Sequence, residues 1–213
     1  NIRGLACTMP HKVTVCSLLD ELDPIAAEIG AVNTVVQESG ILRGYNTDWL
    51  GILKPLESLT PLSGKNVAIL GAGGAAQAAV YACLSAGASV TIFNRTIANA
   101  EPLARRFHST LLPLDGAPDM ERFSVIINTT SVGMAPATEL SPLTAAQIFP
   151  HQIVFETIYH PLETQLLRVA RSRGARTLRG LDMFLEQGAA QFKLHTGVEA
   201  PRDIMKAEIS SPS

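Results

Sequence analysis

Three short polar groups stand in otherwise apolar surroundings near the start of the 213-residue chain: Thr8-Met9-Pro10-His11-Lys12, Ala31-Val32-Asn33-Thr34 and Tyr45-Asn46-Thr47-Asp48. Each falls where a strand should end or a helix begin, and such ends converge on a cleft. Reduction of a ketone by hydride transfer needs a proton donor to the developing alkoxide. The reverse reaction needs a base on the hydroxyl, and a lysine held by a carboxylate can serve as both. Lys12 with Asp48 is the available pair, Asp48 orienting the ammonium while Thr8 and Asn33 hold substrate hydroxyls by neutral hydrogen bonds. Residue type and spacing leave another reading open, because a Lys–Asp pair on two helix N-termini is more often a structural ion pair. His11 is a rival acid near neutral pH. Adjacent helical positions point about 100° apart, so His11 and Lys12 would not face one substrate atom, and His11 suits a capping or surface role.

A second kind of chemistry is carried by glycine. Gly71-Ala72-Gly73-Gly74-Ala75-Ala76 follows the apolar run Asn66 to Leu70 and opens an alanine-rich segment. Gly71, Gly73 and Ala76 fit G-x-G-x-x-A in the strand-to-helix context that this dinucleotide-binding pattern requires. The first glycine allows the tight turn, the second lets backbone approach a pyrophosphate, and Ala76 permits close helix–strand packing. The phosphates would sit on the helix N-terminus, where free N–H groups and the helix dipole favour negative charge. A plain strand-to-helix turn can look the same, but strand, motif and helix in register favour the nucleotide. About 20 residues on, where NAD enzymes place an acid on the ribose 2′-hydroxyl, the chain has Phe93-Asn94-Arg95-Thr96 and no acid. Arg95 can pair with a 2′-phosphate that a carboxylate would repel, and Asn94 and Thr96 add neutral donors. NADP is the expected cofactor.

The elements that must position these groups follow from pattern and punctuation. Ser58-Leu59-Thr60-Pro61-Leu62-Ser63-Gly64-Lys65 separates two differently patterned regions. The expected division is a substrate-binding domain over 1–60, a nucleotide-binding domain over 61–180, and a C-terminal helix and tail over 181–213 returning to the substrate domain. Beyond the junction, apolar runs at Asn66–Leu70, Ser89–Phe93, Val125–Asn128 and Ile153–Thr157 alternate with helical segments at Ala75–Ala86, Ala98–Phe107, Glu163–Arg173 and Leu181–His195. Such alternation means βαβ units, a parallel sheet and helices on both faces. The expected fold is therefore α/β, a Rossmann-like doubly wound parallel sheet preceded by a partial α/β substrate-binding domain. In that first region the pattern gives a strand over Leu5–Thr8, a helix from Pro10 to about Leu19, a hairpin with arms Ala31–Val36 and Ile41–Tyr45, and a helix over Thr47–Leu56. It opens on what reads as an inner strand with nothing before it, so residues upstream of Asn1 are expected to be missing.

Composition narrows the partners. The chain is 46% hydrophobic and 17% charged with a formal net charge of -2, which offers neither a polycation for nucleic acid nor a polyanion for a cationic partner. No apolar run reaches the roughly 18 residues of a membrane span, and the first residues lack the build of a signal peptide. A soluble, cytoplasmic protein with a small-molecule substrate is expected. Cys7, Cys16 and Cys83 are odd in number, widely spaced and set in apolar segments, which suggests buried thiols rather than a disulfide framework or a metal site.

Taken together the motifs resemble those of the shikimate and quinate/shikimate dehydrogenases. Thr8 to Lys12 resembles that family's T-[IM]-P-x-K segment, Gly30 to Thr34 its G-A-x-N-T, and Asn46-Thr47-Asp48 its N-T-D. Gly71 to Ala76 with Asn94-Arg95-Thr96 is similar to its nucleotide-binding pair of motifs. Asn128 to Met134, Tyr159 to Thr164, and Gly180-Leu181-Asp182-Met183 running to Gln187 and Gln191 also match. The resemblance implies NADPH-linked reduction of 3-dehydroshikimate to shikimate with Lys12 and Asp48 as the catalytic pair. It implies substrate contacts from Thr8, Asn33, Tyr159 and Gln187. Cofactor contacts are implied from Gly71, Ala72, Gly73, Gly74, Ala75, Asn94, Arg95, Thr96, Thr130, Ser131, Gly133, Met134, Gly180 and Met183. The family's first strand and helix, and the serine pair that grips the substrate carboxylate, precede the region where this chain begins. Asn99 stands where the family is often basic, and Trp49 where many stand-alone members carry glycine, a variation associated with the fungal multifunctional shikimate-pathway polypeptide. Two other readings stay open: a quinate dehydrogenase, and a metabolite-sensing quinate-pathway repressor domain without turnover.

Overall fold

The structure, a computed structural model, describes residues 2–115 and 120–210. In chain order the first region forms β1 (Gly4–Ala6), a short 3-10 helix (Thr14–Leu18), β2 (Glu21–Leu22), α1 (Pro24–Ile29), β3 (Thr34–Glu38), β4 (Ile41–Tyr45) and α2 (Asp48–Glu57). Its four strands make a mixed sheet in the order β1-β3-β4-β2. Ser39 and Gly40, with φ of 52° and 86°, close the β3–β4 hairpin, the two-residue turn with positive φ at both central positions that matches strand twist.

Two expectations for this region change. The helix expected from Pro10 to Leu19 is a set of turns over 9–13 followed by the 3-10 helix Thr14–Leu18. Val13, Thr14 and Val15 are β-branched and weak helix formers, and the Lys12 carbonyl accepts the Val32 N–H at 2.8 Å, a tie outside the segment. The strand expected over Leu5–Thr8 is the shorter Gly4–Ala6, paired with β3 on one side and with Leu5 56% exposed. Residues 20–30, not assigned from pattern, hold β2 and α1. Asp23 caps α1 by accepting from Ile25 and Ala26 N–H, Pro24 opens it, and left-handed Gly30 ends it.

The second region continues with β5 (Asn66–Leu70), α3 (Gly74–Ser85), β6 (Ser89–Asn94), α4 (Ile97–Arg106), β7 (Thr110–Pro113), β8 (Val125–Asn128), β9 (Ile153–Glu156), α5 (Gln165–Ser172), β10 (Arg176–Leu178), α6 (Gly180–Thr196) and α7 (Arg202–Ser210). Its six strands are parallel in the order β10-β9-β8-β5-β6-β7. From the β7 edge this is the 3-2-1-4-5-6 arrangement of the dinucleotide-binding fold, whose ligand crevice lies outside the carboxyl ends of the strands where the order reverses, here between β5 and β8. Side chains alternate with period two. Val67, Ile69, Ile92, Val125, Ile127 and Phe155 face one core, packed by α3 and α4. Ala68, Leu70, Phe93, Ile126 and Val154 face the other, packed by α5. The expected helices on both faces are present, and the tail carries the further helix α7.

α6 returns to the first region and packs on α2. Gly51 of α2 allows this approach: a Cβ there would lie 2.8 Å from the Met183 carbonyl and 3.2 Å from Gln187 Cβ.

Candidate active site

Lys12, Asn33 and Asp48 come together although they are separated in sequence. Lys12 sits on the turn tied to Val32, Asn33 leads into β3, and Asp48 is the first residue of α2, where the helix dipole favours an anion. Lys12 Nζ lies 2.6 Å from Asp48 Oδ2, with side-chain exposures of 14% and 3%. The other oxygen, Oδ1, accepts Asn33 Nδ2 at 3.0 Å. Asn33 Nδ2 also faces Thr47 Oγ1 at 2.9 Å and Gln187 Oε1 at 3.2 Å, so two hydrogens serve three oxygens. Asn33 Oδ1 accepts the Thr47 N–H at 2.8 Å and the Thr34 hydroxyl at 2.8 Å. Asn46 Oδ1 accepts the Asp48 N–H at 2.9 Å, and its Nδ2 donates to the Ala31 carbonyl. Removing two charges from water costs several kcal/mol per ion. Here the carboxylate is fixed by neutral donors and the ammonium keeps an open side, an arrangement suited to moving a proton.

The opposite wall is backbone. Gly71 has φ of 112°, and a Cβ there would lie 2.6 Å from Thr129 Oγ1. Nothing lies within 4 Å of a Cβ built on Gly73, and α3 begins there without a side-chain cap. Open space over uncapped helix N–H groups fits a pyrophosphate. Ala76 is fully buried in the core beneath. At the end of β6, Asn94 Nδ2 donates to the Thr96 carbonyl at 2.7 Å. Arg95 is exposed and has no ion-pair partner among the described residues. No acid stands beside it in Phe93 to Thr96. The donor set therefore fits NADP, with a cation where the 2′-phosphate would fall. The two walls touch, since a Cβ on Gly74 would lie 3.1 Å from Lys12 Cβ.

Between them lies a cleft of about 540 Å³ lined by Thr8, Lys12, Asn33, Asp48, Ala75, Thr130, Ser131, Met134, Tyr159, Gly180, Met183 and Gln187, among others. Gly71, Ala72, Gly73, Gly74, Asn94, Arg95, Thr96 and Gly133 lie outside its lining, the first seven on the β5–α3 turn and the end of β6, and Gly133 buried beneath its loop. Tyr159 is 52% exposed, with its ring tilted against Phe184 at 5.1 Å between centroids. His11 is exposed and absent from the lining. Gln191, one helical turn after Gln187, donates to the Asn33 carbonyl at 3.0 Å. Residue-level reading passed over Cys7, Met9, Ile158 and Phe184, which also line the cleft. It passed over buried Glu156 too, whose only signal is an acid closing the apolar strand Ile153-Val154-Phe155. Burial pushes the Glu156 carboxyl up to about 7 against the hydrogen bonds it accepts. No group of three or more potential metal ligands occurs among the described residues.

An uncapped glycine turn with room for phosphate, facing a lysine paired with a carboxylate, fits a dinucleotide-linked dehydrogenase. Comparison with known proteins narrows the class. Residues 1–35 match the shikimate dehydrogenase substrate binding domain, 55–138 the shikimate/quinate 5-dehydrogenase model, and 180–209 the shikimate 5'-dehydrogenase C-terminal domain. The chain is 45% identical to the NADP(+) shikimate dehydrogenase of Moorella thermoacetica over 95% of its own length and 72% of that relative's. Among solved structures, a shikimate dehydrogenase in complex with NADP+ superimposes with a TM-score of 0.92 at 38% identity, covering 98% of this chain and 76% of the other. The shikimate 5-dehydrogenase of Thermus thermophilus, in complex with NADP(H) and shikimate, gives 0.88 at 37% identity, covering 98% and 78%. The chain belongs to the shikimate dehydrogenase family.

Proposed function

We propose that this protein catalyses the reversible NADPH-linked reduction of 3-dehydroshikimate to shikimate, with Lys12 transferring the proton and Asp48 holding it in place. The observation that carries this reading is the Lys12–Asp48 pair at 2.6 Å, with the Lys12 stem resting on Gly74 of the nucleotide turn. The reduced dinucleotide, when bound, supplies the hydride. Lys12 donates a proton to the oxygen that becomes the hydroxyl and, in the oxidative direction, takes it back. Asp48 accepts from both Lys12 and Asn33, which fixes its orientation. Thr8, Asn33, Tyr159 and Gln187 bind substrate. Gly71 to Ala75 would cradle the pyrophosphate, Asn94, Arg95 and Thr96 would hold the 2′-phosphate, and Thr130, Ser131, Gly133, Met134, Gly180 and Met183 would contact the rest of the dinucleotide.

The division into a substrate-binding domain at 1–60, a nucleotide-binding domain at 61–180 and a returning segment at 181–213 is part of the proposal. Support comes from the mixed sheet ending at Tyr45, the parallel sheet beginning at Asn66, and α6 packing on α2. No described helix is long and apolar enough to cross a membrane. A cytoplasmic setting suits the three free thiols, of which buried Cys83 is pushed up to about 12. Trp49 stacks edge-to-face on Tyr81 at 5.7 Å, a local packing role that by itself requires no larger multifunctional parent, and the Moorella relative is named for the single activity.

The test is oxidation of shikimate and of quinate, each with NADP and with NAD. Shikimate with NADP should give the highest kcat/KM. A higher value for quinate would make this a quinate dehydrogenase, and binding of either compound without turnover would make it a sensor.

A further inference from the structure

Glu156 is fully buried at the carboxyl end of β9, beside Asn128 at the carboxyl end of β8, the two being register partners in the sheet. Neither belongs to the proton-transfer machinery. Asn128 Nδ2 donates to both Glu156 oxygens, at 3.0 and 3.1 Å. Glu156 Oε1 also accepts the Ile158 N–H at 3.1 Å, and Oε2 the Thr164 hydroxyl at 2.9 Å. On its far side Asn128 Oδ1 accepts both the N–H and the hydroxyl of Thr130, at 3.0 and 2.7 Å. Thr130 Oγ1 in turn accepts the Val132 N–H at 3.2 Å.

The chemistry of this chain of bonds is directional. An amide can turn either end toward a neighbour, but the Thr130 N–H on one side can only donate, and both Glu156 oxygens on the other face Asn128 Nδ2. With Glu156 on one side, Asn128 must present its NH2 group to the acid and its oxygen to Thr130. The acid thereby decides which way the amide faces and gives the loop after β8 a fixed acceptor for two donors. The same acid holds Ile158, which lines the cleft beside Tyr159. One buried side chain thus anchors two stretches of the cleft wall: the Thr130 to Met134 loop through Asn128, and the exit of β9 directly. A buried acid with neutral partners is costly to keep, and an apolar residue would fill the same space.

We propose that Glu156 is a positioning residue for cofactor binding, acting through Asn128 to fix the Thr130 to Met134 loop at the crevice between β5 and β8. This rests on the reading above that the loop contacts the dinucleotide.

The test is steady-state kinetics of the whole protein in the reductive direction. Glu156→Leu keeps bulk and removes every acceptor; KM for NADPH should rise about tenfold or more, while kcat at saturating NADPH stays within about threefold of the parent. Glu156→Gln can still present an oxygen to Asn128 and Ile158 and should restore KM to within about twofold. Should Glu156→Leu fail to fold, Asn128→Asp, equal in shape but with a like charge facing Glu156, gives the same reading and should raise KM for NADPH several-fold. Thr164→Val removes the bond to Glu156 Oε2 and the cap on Leu167 N–H at the start of α5, and leaves Asn128 and Ile158 bonded to the acid; it should lower the melting temperature and leave KM unchanged. Met134→Ala reports on the loop itself. If it raises KM for NADPH while Glu156→Leu (or Asn128→Asp) does not, the positioning role is wrong and the loop assignment stands. If neither raises KM, the loop does not hold the cofactor and both ideas fall.

Discussion

Lys12, Asn33 and Asp48 work with side chains drawn from three stretches of chain that meet only in the fold, whereas Gly71 to Ala76 offers backbone within six consecutive residues. On the first wall the proposed proton transfer rests on a single atom, Lys12 Nζ. The second wall supplies N–H groups and empty space that many side chains would leave intact and one misplaced Cβ would spoil. On that proposal proton transfer is concentrated on one side of the cleft and dinucleotide binding is spread over the other. The two should fail differently when altered.

The largest effect expected is at Lys12. Lys12→Ala should lower kcat by roughly 10²- to 10⁴-fold, the span of acid–base catalysis, while the affinity for NADPH, measured by fluorescence titration, stays close to that of the parent. A variant that turned over at nearly the parent rate would reduce the pair to a structural ion pair and dissolve the distinction between the walls.

Arg95 sharpens the contrast from the other side. It is the one cation in the Asn94 to Thr96 segment, so it should decide which dinucleotide is chosen rather than whether one binds. A charge-assisted hydrogen bond contributes about 1.5–3 kcal/mol, so Arg95→Asp should shift the NADP-to-NAD ratio of kcat/KM by roughly ten- to a hundredfold toward NAD. The backbone turn would keep turnover with NAD intact. An unchanged ratio would mark Arg95 as a solvated surface charge.

Much of the second region could be read from residues alone because its strands are buried on both faces. Asn66–Leu70 and Val125–Asn128 are uninterrupted apolar runs that stop at a turn residue, and the structure gives them those same bounds. The edge strands β7 and β10 lacked that signal. Each is short, and only Leu178 among their residues is buried. α1 was missed for a different reason: Asp23-Pro24 and Gly30 mark both its ends, yet six residues are too few to show a helical period. Lys12 and Asp48 were singled out from type and spacing, but the reach of Gln187 to Asn33 across 154 positions leaves no local trace and came from resemblance to a family. Glu156 was invisible because an acid at the end of a strand ordinarily means solvent, and only the fold shows it enclosed.

That enclosure separates the two buried acids, Asp48 in the cleft and Glu156 behind its wall. Asp48 has a lysine beside it; Glu156 has Asn128, Thr164 and a backbone N–H. Burial raises the Glu156 carboxyl from 4.5 to about 7, and its hydrogen bonds offset only part of that. Between those values the folded chain holds a proton that the unfolded chain has released, so this group's contribution to stability falls as pH rises from about 4.5 to about 7 and levels off above. Below 4.5 both states carry the proton and the difference vanishes. Glu156→Gln removes the titration while keeping shape. Urea unfolding at about pH 5 and about pH 8 should therefore show the variant gaining on the parent as pH rises, whatever constant offset the lost acceptor leaves. An offset equal at both pH values would mean that the acid ionises at its ordinary pH, and that its hydrogen bonds offset the whole of the cost of burial.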